Sequence, residues 1–150
     1  MEIAAAGRAA AVSDLGFSSH APLPFATDWN MPVERLAEYA AEIRNLKATE
    51  GDVQKLWLGA EIDYIPLAGV ADFQRERIFP VGFDYFVGSV HFLGQDDPPA
   101  EFDGTEAGFR EILEDEYEGD IREMTGDYYA RLARVPEIPG VRIIGHFDVI

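Results

Sequence analysis

The chain has 150 residues, 47% of them hydrophobic and 12% aromatic, so it can bury a core but is short for any closed barrel. Twelve Lys and Arg against 28 Asp and Glu give a formal net charge of −16, a balance that excludes attraction to a nucleic-acid backbone or an anionic membrane surface. With no cysteine, disulfides, thiol catalysis and thiolate metal sites are excluded together, and any metal must sit on His and carboxylate.

Residues 2–13 are Ala-rich, good helix composition, with an acid at Glu2 that makes a poor start for a signal peptide. No stretch approaches the roughly 20 apolar residues that span a bilayer, so the expectation is a soluble cytoplasmic protein without membrane or nucleic-acid partners. Asp14-Leu15-Gly16-Phe17-Ser18-Ser19 reads as a short strand, and His20 follows it at once. Pro22, Pro24, Asp28 and Asn30 mark a loop before Pro32 opens a helix over 32–49, whose Leu36, Tyr39, Ala40, Ile43 and Leu46 form one stripe.

Residues 55–64 predict a largely buried strand with Glu61 near its end, and a short helix is expected over 67–78. The β-rich run 83–90 delivers His91, where Ser89 is expected to pack the strand end. A loop rich in Gly, Asp and Pro spans 94–104, helices are expected at 105–117 and 119–134, and a last strand over 141–145 carries His146. This alternation argues for an α/β fold of parallel βα units with flanking helices. The segment 95–123 holds 12 of the 28 acids and two Arg, and is read as a solvated helix face, with an interaction surface as the rival.

In parallel α/β folds functional groups gather at the carboxyl ends of the strands. His20, His91 and His146 all fall at such ends and Glu61 closes the remaining strand, so one rim would carry three imidazoles and a carboxylate. That donor set suits Zn²⁺, Mn²⁺ or Fe²⁺ in a thiol-free site. On spacing alone, metal ligation and ordinary hydrogen-bonded histidines stay equally open.

The local sequences add to this. Gly16-Phe17-Ser18-Ser19-His20-Ala21-Pro22-Leu23-Pro24-Phe25, Gly59-Ala60-Glu61-Ile62-Asp63-Tyr64-Ile65-Pro66, Asp84-Tyr85-Phe86-Val87-Gly88-Ser89-Val90-His91-Phe92-Leu93-Gly94 and Ile143-Ile144-Gly145-His146-Phe147-Asp148 occur in this order. With them the chain resembles the histidinol-phosphate phosphatases of the polymerase-and-histidinol-phosphatase (PHP) superfamily, from about residue 10 to the end. The resemblance implies a distorted (β/α)7 TIM-like barrel with two or three divalent metals at the strand carboxyl ends. It implies His20, Glu61, His91 and His146 as metal ligands, with Glu61, His91 and His146 the catalytic groups and Glu61 bridging. Asp63 and Asp148, each two residues beyond a ligand, are expected to support the ligands from behind or to serve as structural groups, with a generic solvent or capping role equally open. The implied reaction converts L-histidinol phosphate and water to L-histidinol and phosphate, a step of histidine biosynthesis. Local cations at such a site would draw a phosphorylated substrate to an acidic chain.

Three departures accompany the resemblance. The His-x-His strand that opens the family's domain and the Asp-x-His pair near its end have no counterpart here, and Ser19 stands where the family has Asp. The expectation is therefore a single, incomplete PHP domain over residues 1–150, a partial barrel whose open sheet edges invite self-association. Three accounts follow from this: part of a longer phosphatase, a chain completed by association, or a non-catalytic acidic binding or scaffold protein. Another PHP-type phosphoesterase is the alternative enzyme reading, since metal motifs do not name the leaving group.

Overall fold

The computed structural model describes residues 2–51 and 53–150. Its centre is a sheet of four parallel strands, β1 (Asp14–Phe17), β2 (Lys55–Asp63), β3 (Tyr85–Ser89) and β6 (Val141–Ile144), in the order β1-β2-β3-β6. α1 (Glu2–Ala9) precedes β1, and between the strands run α2 (Leu36–Glu50), α3 (Ala68–Phe73), α4 (Glu106–Tyr117) and α5 (Ile121–Leu132), as the βα alternation requires. The small antiparallel ribbon of β4 (Phe92–Leu93) and β5 (Ala100–Glu101) lies inside the stretch that the sequence marks as loop.

Period-two alternation divides β2 into two faces. Leu56, Leu58, Ala60 and Ile62 are buried on one. Against them α2 lays the stripe expected of it, with Leu36, Ala40, Ile43 and Leu46 buried. Tyr39 of the same helix is half-buried and donates its hydroxyl to Gly59 O at 2.9 Å, which pins α2 to the sheet. The other face carries Trp57, Gly59, Glu61 and Asp63. There Tyr85 lies across Gly16 and Gly59, close enough that a β-carbon at either glycine would collide with its ring or hydroxyl. A larger cluster built on Val90, Leu93, Phe102, Ile112, Met124 and Tyr128 packs α4 and α5 onto the β4–β5 ribbon. Arg131 is buried within it, giving its guanidinium to Phe92 O, Gly94 O and the Asp127 carboxylate.

Several elements differ from expectation. The first helix stops at Ala9 rather than 13, with Ala11 at φ 58°, because the chain must turn for Ser13 O to accept from Lys55 N and start the β1–β2 ladder. The helix expected over 67–78 is α-helical only to Phe73 and continues as a π-helical stretch, Gln74–Ile78. Thr105 and Asp120 cap α4 and α5 by accepting backbone N–H groups. Most acids of 95–123 are exposed, matching a solvated face, but Glu101 turns inward. The edge strand β6 leaves Ile143 and Ile144 exposed, and Phe147 after it is 62% exposed. No helix among the described residues is long and apolar enough to cross a membrane.

Candidate metal centre

Parallel pairing brings the four sequence-predicted groups to one rim, with a register shift at Phe86/Val87 in the β3–β6 pair. A single parallel bridge, His20 to Glu61, extends the β1–β2 ladder beyond Phe17, so His20 is carried to the side of Glu61 by the sheet itself. Each of His20, Glu61 and His91 offers a ligand atom, and these atoms lie within 4.8 Å of one another, a group able to hold a metal ion. His146 joins from beyond β6, with Nε2 3.3 Å from Glu61 Oε1 and 3.1 Å from His91 Nε2. The cleft they line, of about 320 Å³, is completed by Trp29, Glu101 and Asp103.

The supporting contacts are specific. Asp63, side chain 1% exposed, places Oδ1 2.6 Å from His91 Nδ1. With the Nδ1 proton given to Asp63, neutral His91 presents the bare Nε2 lone pair to the cleft. Burial disfavours the imidazolium of His91, but the hydrogen bond and charge of Asp63, with the charges of Asp103 and Glu61, outweigh it and raise the imidazole pKa above its usual 6.5. Gln74 Nε2 donates to Asp63 O at 2.8 Å, so the π-helical stretch secures the backbone beneath this carboxylate. Ser89, fully buried, packs the strand end as read and in addition donates its hydroxyl to Glu61 Oε1 at 2.6 Å, fixing the plane of that carboxylate. Desolvation at the cleft wall, first, and the neighbouring Glu101 push the Asp103 carboxyl up, against the opposing pull of His91, its own backbone N–H and His146.

The structure does not bring the Asp148 side chain to His146 as it brings Asp63 to His91. β6 ends at Ile144 and the chain turns at 147–148, so the two-residue offset that works on a strand no longer selects a face, and Asp148 is exposed. No hydrogen bond among the described residues joins it to His146, whose carbonyl instead accepts from Tyr128 Oη at 3.0 Å. Trp29, Glu101 and Asp103 are cleft residues that sequence reasoning missed. The loop 94–104 that holds the two acids was legible as a loop, but its return to the rim depends on pairing Phe92 with Glu101.

The donor set fits a divalent cation. Two features of the geometry point the same way: Nδ1 of His20 is buried without a hydrogen-bond partner among the described residues, and the Nε2 atoms of His91 and His146 face each other at 3.1 Å. A carboxylate and converging neutral imidazoles are the chemistry that Zn²⁺, Mn²⁺ or Fe²⁺ accepts.

Among solved structures, the candidate histidinol phosphatase of Listeria monocytogenes superposes with a TM-score of 0.81 at 22% identity, over 99% of this chain and 60% of that one. The α/β fold is shared. The four-stranded parallel sheet with flanking helices agrees with the α/β fold class expected from the sequence. The Deinococcus radiodurans protein named "Probable histidinol-phosphatase" is 31% identical over 153 residues, which cover 99% of this chain and 54% of that protein. The chain therefore spans about half the length of this curated relative. No protein-family profile matches.

Proposed function

We propose that the chain supplies the metal-binding rim of a PHP-type phosphomonoester hydrolase that converts L-histidinol phosphate and water to L-histidinol and phosphate. The observation that carries this reading is the convergence of His20, Glu61, His91 and His146, with a buried carboxylate behind His91. The names of the two similar proteins support the substrate class. Bound divalent cations would neutralise phosphoryl oxygens and lower the pKa of a water poised for attack.

The residues of this chain divide the remaining work. Glu61 sits at the centre of the rim, within 3.5 Å of both His91 and His146, where one carboxylate can serve two cations. Ser89 holds Oε1 of that carboxylate and Asp63 holds the ring of His91, so neither ligand must reorganise when a cation arrives. His146, side chain 41% exposed, closes the cleft from the solvent side. Of the three accounts we adopt the one in which the chain is part of a longer phosphatase, since it spans 54% of the curated relative that it matches.

The test is phosphate release from L-histidinol phosphate by the chain with added Mn²⁺ or Zn²⁺. Glu61→Ala should lower the rate by at least about 100-fold with the far-UV spectrum unchanged, since it removes a ligand rather than a supporting group. A rate indifferent to that substitution, or to a chelator, contradicts the proposal.

A further inference from the structure

Resting on the metal reading above, we infer that Trp29 is a positioning residue for the metal centre, orienting the ring of His20 as Asp63 orients that of His91. The two imidazoles are supported in different ways. His91 is held by a hydrogen bond to a buried carboxylate. His20 has no such bond: its Nδ1 is buried and unpartnered among the described residues, so hydrogen bonding does not fix its rotation about the Cβ–Cγ bond.

Packing by Trp29 does. Its ring centroid is 4.7 Å from that of His20 at an interplanar angle of 75°, and 5.2 Å from that of His91 at 67°. Such edge-to-face contacts are directional, because the electron-rich face of one ring attracts the electropositive edge of the other. Trp29 is itself anchored twice on the β4–β5 ribbon. Its Nε1–H donates to Glu101 Oε2 at 2.6 Å, and its ring stacks on Phe92 at 5.8 Å and 22°. Phe92 and Glu101 are ladder partners, so the indole is clamped by the two residues of a single rung of the ribbon. The position of His20 is thereby referred to the element that follows His91 directly, and the 5.3 Å separation of the two imidazole rings is set from outside the metal sphere. Glu101, one of the acids of the segment 95–123, serves as the tether.

The experiment is Co²⁺ binding to the full chain, read both by affinity and by the visible d–d spectrum of the saturated protein, which reports ligand geometry. Trp29→Leu should weaken Co²⁺ binding by about 10- to 100-fold and change the spectrum at saturation, as loss of a ligand-orienting group does. Trp29→Phe, which keeps an aromatic edge against His20 but loses the N–H, should return the spectrum toward wild type. Should Trp29→Leu not fold, Glu101→Leu carries the test, with binding about tenfold weaker because the indole is untethered. Wild-type affinity and spectrum in the folded variant overturn the inference while leaving the metal reading intact. A wild-type chain that binds no Co²⁺ overturns both.

Discussion

Asp63→Ala is the substitution whose effect the geometry defines most closely. It removes a carboxylate that is 1% exposed and 2.6 Å from His91 Nδ1, and leaves that N–H in a buried setting with nothing to accept it. In metal-free protein an unsatisfied buried donor costs about 1–3 kcal/mol of folding stability. Metal affinity should fall about 10- to 100-fold, because the ring loses both its orientation and the electron density that the carboxylate lends to Nε2. That range corresponds to about 1.4–2.7 kcal/mol of binding free energy. Asp63→Asn separates the two contributions, since its amide oxygen still accepts from Nδ1–H but without charge, and charge-assisted bonds are about twice as strong as neutral ones. The asparagine variant should therefore lose about half as much. Calorimetric titration with Mn²⁺ measures the affinities, and urea unfolding in chelator measures the stabilities. Equal Mn²⁺ affinity in wild type and Asp63→Ala, or a greater loss in the asparagine than in the alanine variant, would refute the reasoning.

Two further predictions concern the framework. Arg131→Ala should destabilise the fold by about 3 kcal/mol or more in urea unfolding, because it strips the buried carbonyls of Phe92 and Gly94 and the Asp127 carboxylate of their partner. Asp84 accepts from Leu58 N at 2.7 Å and Lys47 Nζ at 2.6 Å; burial pushes its carboxyl up, but these donors and the charges of Lys47 and Arg44 prevail and hold its pKa below the ordinary 3.8. A folded pKa below the unfolded one stabilises above 3.8 and is lost as pH falls through the folded value. Asp84→Asn should thus cost about 1 kcal/mol at neutral pH, and the gap to wild type should close in acid, as urea midpoints measured across pH would show.

The strands were legible because each is an apolar run bounded by turn residues, and β2 kept its expected limits to within one residue at Asp63. The rim was legible for a related reason: in parallel pairing the residues that end strands share an edge, so His20, Glu61 and His91 meet without any knowledge of side-chain packing. What resisted reading is contact between distant segments. Trp29 stands nine residues beyond His20 in a Pro-rich loop and reaches Glu101 across 72 positions, a pairing that no local periodicity encodes. The β4–β5 ribbon has two residues per strand, too few for alternation to register. Asp148 lies outside that pattern, since the offset that places Asp63 behind His91 holds only while a strand continues, and β6 stops at Ile144. The end of α1 shows tertiary pairing overriding a strong local propensity, for Ala composition favours helix to residue 13 and the β1 register ends it sooner.

The central claim is that His20, Glu61, His91 and His146 form a metal centre. Elemental analysis of the purified chain after gel filtration in the presence of Mn²⁺ or Zn²⁺ tests it most directly. The account predicts at least one ion per chain, lost in His91→Ala; a chain that elutes metal-free, or a His91→Ala variant that retains the same stoichiometry, would contradict it.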